Sequence, residues 1–156
     1  MIRQTTTDDW EVLRDTRLRA LADSPEAFLE TVEEAWGFSE SLWRERATPD
    51  DTRASFLQDE ESGMVSCFIA DDAANVFLVG MWVAPALRGT GIARDLVESV
   101  LAWANERGAA RVCLSVEPGN DRAARLYEKC GFAETADPPP FPYEPNHDNR
   151  FYVFEL

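Results

Sequence analysis

A chain of 156 residues, 45% hydrophobic and 28% charged, holds enough apolar material for one buried core and has the composition of a globular protein. Its net charge of −14 excludes the basic footprint that nucleic acid requires, disfavours an anionic membrane surface and favours cationic ligands. No apolar run approaches the roughly 20 residues of a membrane span, and Met1 to Asp8 contain no apolar h-region, so a cytoplasmic protein is expected.

Ile2 to Thr6 reads as a short first strand. Asp8, with Glu11 three residues on, resembles a capping arrangement that opens a helix running to about Ala22. Trp10, Leu13, Leu18 and Leu21 share one face of that helix, and Arg14 and Arg17 fall in the same arc. Two readings stand for these arginines: salt-bridged or snorkelling side chains, and substrate contacts. Ser24-Pro25 marks another helical start, Gly37 interrupts, and Ser39 caps a short helix carrying Leu42, Trp43 and Ala47. From Arg53 the period changes, and Ala54–Gln58, Met64–Ala70 and Val76–Val83 read as antiparallel strands with short polar connectors. The third is apolar almost throughout, which places it centrally with both faces covered. Gly91 to Arg107 is the clearest helix, with Leu96, Val97, Val100 and Ala104 on one stripe and Gly108 as its C-cap. Val112–Val116 follows as a buried strand, then a helix from Asn120 to Lys129 ending at Gly131. Phe132–Thr135 and Phe151–Leu156 are the last strands, separated by a loop with five prolines. Cys67, Cys113 and Cys130 have no metal spacing, and two of them sit in apolar stretches, so reduced core thiols and no metal are expected.

The segment Val83-Ala84-Pro85-Ala86-Leu87-Arg88-Gly89-Thr90-Gly91-Ile92-Ala93 joins the central strand to the strongest helix. Its glycines let backbone approach a ligand, and the helix start offers unpaired amides and a positive dipole end. A diphosphate is the natural occupant, with Arg88 at its edge. A P-loop would need Lys-Ser or Lys-Thr where this chain has Ile92-Ala93. A dinucleotide fingerprint would need a third glycine where it has Arg94.

Arg88-Gly89-Thr90-Gly91-Ile92-Ala93 resembles the Gln/Arg-x-x-Gly-x-Gly/Ala signature of the GNAT superfamily of N-acetyltransferases. The continuation Leu114-Ser115-Val116, Asn120, Ala123, Leu126-Tyr127, Lys129 and Gly131-Phe132 stands at that family's spacings. The likeness is strong from Val76 to Phe132 and looser outside. It implies an α/β fold in which residues 1–156 form one GNAT-type domain, with a mixed, mostly antiparallel sheet splayed at its centre and flanked by helices. It further implies that acetyl-CoA is the co-substrate. The amides from Arg88 through Gly89, Thr90, Gly91 and Ile92 to Ala93 would bind its pyrophosphate, and Met81, Trp82 and Val83 would pair with its pantetheine arm. A bulge near Gly80 would aid the splay.

The same likeness gives Asn120 a pantetheine contact beside its plain reading as a helix N-cap. Tyr127 matches the tyrosine that protonates the departing thiolate, beside its reading as a core tyrosine. Glu33 and Glu34 are candidates to line the acceptor cleft and deprotonate the amine, as is Glu117. Each reads equally as a solvated acid in a chain with 29 Asp and Glu. Trp36, Phe38 and Trp43 read as an aromatic wall or as core, and His147 as a gate residue or an exposed loop residue. The implied activity is acetyl transfer to a primary amine, on a small molecule or a peptide, by direct attack in a ternary complex. A non-catalytic acyl-CoA sensor shares the phosphate site and is the alternative, with a pure interaction domain third. A homodimer is common in the family, and no residue pattern here specifies one.

Overall fold

The computed structural model describes residues 1–145 and 148–156, and His147 lies outside the described residues. Strand β1 (Ile2–Gln4) leads into a 3-10 turn at Thr7–Asp9 and then α1 (Trp10–Asp23). The capping pair is Thr6 and Asp9 instead of Asp8 and Glu11: the Thr6 amide donates to Asp9 Oδ2 at 2.7 Å, and Asp9 also pairs with Arg3 at 2.8 Å. The pair sits two residues nearer the N-terminus because the 3-10 turn at Thr7–Asp9 precedes α1. Pro25–Ala27 makes only a single 3-10 turn, after which α2 (Val32–Trp36) and α3 (Glu40–Ala47) follow. Thr31 and Ser39 cap these two, accepting from the Glu34 and Leu42 amides.

The remaining elements are β2 (Arg53–Gln58), β3 (Gly63–Ile69), β4 (Asn75–Val83), α4 (Ile92–Glu106), β5 (Arg111–Val116), α5 (Asp121–Lys129), β6 (Ala133–Thr135) and β7 (Arg150–Glu155). They form one seven-stranded sheet in the order β1-β2-β3-β4-β5-β7-β6. Every pairing is antiparallel except β4 with β5. Helix α4 lays Leu96, Val97, Val100, Trp103 and Ala104 on one face, against Val65, Cys67, Val76 and Leu78, and α5 adds Ala124 and Tyr127. Helices α1 and α3 cover the other face, setting Leu13, Ala20 and Ala47 against Leu57, Met64 and Trp82 of the sheet, and Ala35 of α2 packs on Leu18, Leu21 and Trp43. The core is thus split across a central sheet. All three cysteines are unpaired, and burial pushes the thiols of Cys67 and Cys113 up, to about 12 and about 11.

Two departures from a regular sheet position the site. Met64 pairs with Trp82 but Ser66 pairs with Val79, so Val65 faces two residues, Gly80 and Met81. This is a β-bulge in β4, with Gly80 at φ +63°, a conformation that glycine adopts at little cost. Beyond it, β4 and β5 share only three register pairs, Asn75 with Arg111, Val76 with Val112 and Phe77 with Cys113. From there the parallel neighbours separate and the sheet opens.

Candidate active site

The opening between β4 and β5 is a cavity of about 890 Å³, walled by β4 from Leu78 to Val83 and by β5 from Leu114 to Val116. Burial along β4 tracks it. Residues 75–78 and 82–83 are buried, whereas Val79, Gly80 and Met81 are partly open. The bulge therefore delivers irregular backbone, free of a complete ladder, to the cavity wall.

At one mouth, the chain leaves β4 through a 3-10 turn at Pro85–Leu87 and enters α4 at Gly91. Gly89 and Gly91 have φ of +83° and +92°, and a Cβ at either would meet no atom within 4 Å. These glycines supply both the left-handed bend and open space for a ligand against backbone. The first bond back into α4 runs from the Asp95 amide to the Gly91 carbonyl at 3.0 Å. The amides of Ile92, Ala93 and Arg94, which precede it, have no carbonyl of their own helix to bond and carry its positive end, a local chemistry suited to an anion. Gly89, Gly91 and Ala93 line the cavity. Thr90 and Ile92 do not, because the Thr90 hydroxyl donates to the Leu87 carbonyl and Ile92 packs on the core.

Arg88 reaches the cavity but is already engaged. Its Nη2 donates to Asp23 Oδ2 at 2.7 Å and its Nε to the Val83 carbonyl at 3.0 Å. Trp82 Nε1 donates to the same Asp23 oxygen at 3.0 Å. Hydrogen bonds from Trp82, Ser24 and Arg88 hold the Asp23 carboxyl below its ordinary range, against the opposing cost of burial.

The electrostatics of the cleft oppose those of the whole chain. Among the described residues its walls carry six cations, Arg17, Arg88, Arg94, Arg122, Arg125 and Lys129, and one acid, Glu117. In a protein of net charge −14 that concentration provides a local anion-attracting field. Arg94, Arg122, Arg125 and Lys129 are spaced along α4 and α5, where only the fold shows that they face a common space.

Tyr127 projects from α5 into the cavity, edge-to-face with Phe132 at 5.7 Å. Burial pushes its phenol above the usual value, and among the described residues its hydroxyl has no protein partner. Asn120 caps α5, its Oδ1 accepting from the Ala123 amide at 3.3 Å, and it also lines the cavity. Tyr143 is a lining residue that no sequence pattern singles out. It is delivered by the proline-rich loop, which Phe141 fastens against Phe77, Phe151 and Tyr143 at centroid distances of 5.0, 5.2 and 5.4 Å. Burial raises the Tyr143 phenol as well, while Ser115 draws it back.

Of the acids considered from sequence, only Glu117 reaches the cleft, within 3.5 Å of Asn149 Nδ2. Glu33 and Glu34 are exposed and line no part of it. Helix α2 turns Ala35 to the core, and Glu34 is spent on the Thr31 cap. Trp36 is likewise turned outward, 70% exposed, whereas Trp43 is buried against Phe38. Arg14 and Arg17 are ion-paired, with Asp15 at 2.8 Å and Glu30 at 2.6 Å. No group of His, Cys, Asp and Glu among the described residues is arranged to hold a metal, and none of their helices is long and apolar enough to cross a membrane.

Comparison with known proteins agrees with this geometry. The model of the acetyltransferase (GNAT) family matches residues 13–132. An uncharacterized N-acetyltransferase of Mycobacterium tuberculosis is 38% identical over 85 residues, 53% of this chain and 54% of the relative. An aminoglycoside N(6')-acetyltransferase type 1 of Salmonella typhimurium is 31% identical over 65 residues, 42% of this chain and 45% of the relative. The matches thus span about half the length of these relatives. Among solved structures, a Salmonella typhimurium protein described as a putative acetyltransferase with its cofactor acetyl-CoA superimposes with TM-score 0.72 at 19% identity. That match covers 100% of this chain and 93% of the other, a likeness of fold.

Proposed function

The chain belongs to the acetyltransferase (GNAT) family, and from that premise we propose that it moves the acetyl group of acetyl-CoA to a primary amine by direct attack within a ternary complex. The observation that carries this reading is the opening of the sheet between β4 and β5 onto a Tyr127 hydroxyl that has no partner among the described residues, with six cations along the cavity walls. The donor set fits the co-substrate: open glycine backbone at Gly89 and Gly91 for the pyrophosphate, and Arg94, Arg122, Arg125 and Lys129 for the remaining phosphate charge. Arg88, tied to Asp23 and Val83, holds the loop in place and offers its backbone. Thr90 and Ile92 support the same turn from behind.

Acetyl-CoA supplies an activated thioester. The backbone of Met81, Trp82 and Val83 would pair with the pantetheine arm, and an amide near Trp82 or Val83 would serve the thioester carbonyl as a preorganised donor, an arrangement that typically contributes about 10²–10³ in rate. Asn120 adds a polar contact at the start of α5. Tyr127 donates its proton to the departing thiolate. Its raised pKa keeps the phenol protonated under all ordinary conditions, the state a general acid needs. Glu117, at the end of β5 on the acceptor side, is the acid placed to accept a proton from the amine.

The test is a thermal shift with and without acetyl-CoA, followed by thiol release over a panel of amines. Stabilisation with amine-dependent release is expected, since a ligand at a hundred times its dissociation constant adds about 2.7 kcal/mol. Absence of stabilisation at saturating acetyl-CoA would overturn the assignment.

A further inference from the structure

We propose that the amine acceptor carries a carboxylate on the same molecule and that Arg17 receives it, a reading that deepens the acetyl-transfer assignment and rests on it. The central cavity meets a second one, of about 600 Å³, at Arg17, Leu29, Val79 and Gly80, which is the bulge. The second cavity is bounded by Arg46, Arg53 and Glu30 as well. Arg53 is already compensated by Asp50 and Glu45, each 3.7 Å away. Among the described residues Arg17 and Arg46 share a single acid, Glu30, at 2.6 and 3.3 Å. One positive charge is left over in a cluster whose side chains are only 18%, 35% and 14% exposed. A guanidinium does not shed its proton under ordinary conditions, so the surplus charge is relieved by an anion.

The two arginines are held where a ligand would meet them. Arg17 lies 4.6 Å over Phe28, and Arg46 lies 4.6 Å over Phe38 and 5.1 Å over Trp43. Arg17 spends Nε and Nη2 on Glu30. Its Nη1 has no hydrogen-bond partner among the described residues and stands 3.1 Å from where a Cβ on Gly80 would lie. That cationic N–H therefore sits beside the bulge backbone that lines the splayed cleft.

The opposite wall has the complementary character. Asn149 is 8% exposed and its Oδ1 has no hydrogen-bond partner among the described residues, while its Nδ2 stands 3.5 Å from both Ser115 Oγ and Glu117 Oε1. Oδ1 and Glu117 are acceptors suited to an ammonium or amine. A positive end at Arg17 and an accepting end at Asn149 and Glu117 match a zwitterion of the amino-acid type. A polycation would bring like charge against Arg17.

Thiol release compares free L-amino acids with their carboxamides, spermidine and an aminoglycoside serving as polycation controls. Wild type is expected to favour the acid over its amide by at least about tenfold in kcat/KM, consistent with a charge-assisted hydrogen bond. Arg17→Gln is expected to collapse that ratio toward one through KM. Glu30→Gln, which removes the competing carboxylate, is expected to lower KM for the acid, a sign that a merely structural ion pair does not produce. Acetyl-CoA stabilisation measured on each variant shows that it folds and reports separately on the co-substrate site. Equal or better use of amides or polyamines, or an unchanged ratio in Arg17→Gln, overturns the proposal. If no amine turns over, thermal shift with CoA present decides it. Stabilisation by acids but not amides, lost in Arg17→Gln, supports the carboxylate site, and equal or absent stabilisation overturns it.

Discussion

Arg88 Nη2 lies 2.7 Å from Asp23 Oδ2, so the arginine of the glycine-rich loop is bound by the last turn of α1. Because Trp82 donates to the same oxygen, one carboxylate ties the helix to the end of β4 and to the loop that follows. Asp23→Asn should therefore destabilise the fold by about 1 kcal/mol, the scale of a partly exposed charge-assisted hydrogen bond. The folded-state pKa of Asp23 is lowered from its ordinary 3.8. Its stabilisation is thus fully present above that value and is lost as pH falls through the lowered one. Urea unfolding of wild type and variant should differ at neutral pH and converge in strong acid.

Tyr127→Phe removes the only hydroxyl on α5 that faces the cleft among the described residues. It should lower kcat by about 10²–10⁴ while leaving acetyl-CoA affinity within a few-fold. Since burial raises the phenol above its ordinary 10.0, wild-type kcat should show no loss attributable to this group as pH rises to 9. A descending limb below pH 9 that vanishes in the variant would contradict the assignment.

Gly91→Ala places a side chain at φ +92° on the open floor of the proposed phosphate site. The conformational cost is about 1–2 kcal/mol. Because no protein atom would be struck, the larger consequence should fall on acetyl-CoA, with a dissociation constant raised about tenfold or more. Calorimetric titration and thermal unfolding read the two effects separately.

Gly131→Ala makes the opposite case. Its φ is +102° and the new Cβ would stand 2.9 Å from Phe154 Cε2, inside the core contact between α5 and β7. Strain and overpacking together should cost about 3 kcal/mol. Thermal unfolding should drop without ligand, and the residual folded protein should bind acetyl-CoA normally.

Joint replacement of Arg122 and Arg125 by alanine should weaken acetyl-CoA binding about tenfold at low ionic strength and less at high salt, as screening predicts. Acetyl-pantetheine, which lacks the adenosine phosphates, should bind wild type and variant alike. A loss shared by both ligands would place these cations elsewhere in the mechanism.

The order and kind of the elements were legible along the chain. The continuous apolar run of β4 marked a strand covered on both sides, and the stripe on α4 marked its cover. The glycine pair at 89 and 91 marked a helix start open to an anion. Less legible was the first turn of α1, where Asp8 and Asp9 are both good capping residues and only the bond formed with Thr6 tells them apart. Glu33 and Glu34 were plausible from their neighbourhood, but a five-residue helix with Ala35 inward leaves them facing solvent.

Sequence by itself determined the local matters: which segments are helix or strand, where left-handed glycines permit a loop, and which residue types carry acid and anion-binding chemistry. Those properties depend on neighbours along the chain, so they leave a pattern there. Tertiary structure alone decided which side chains share a space. It brought Arg17 of α1 to Gly80 of β4, Asp23 to Arg88, Tyr143 of a proline-rich loop to Ser115 of β5, and Asn149 to Glu117. Each of these pairs is far apart in the chain and is joined by helix packing or strand register, as the pairing of Val116 with Arg150 sets Glu117 beside Asn149, and β4 and β5 part after Phe77. The opening is set by sheet register and packing of the whole core, and no single stretch of residues encodes it.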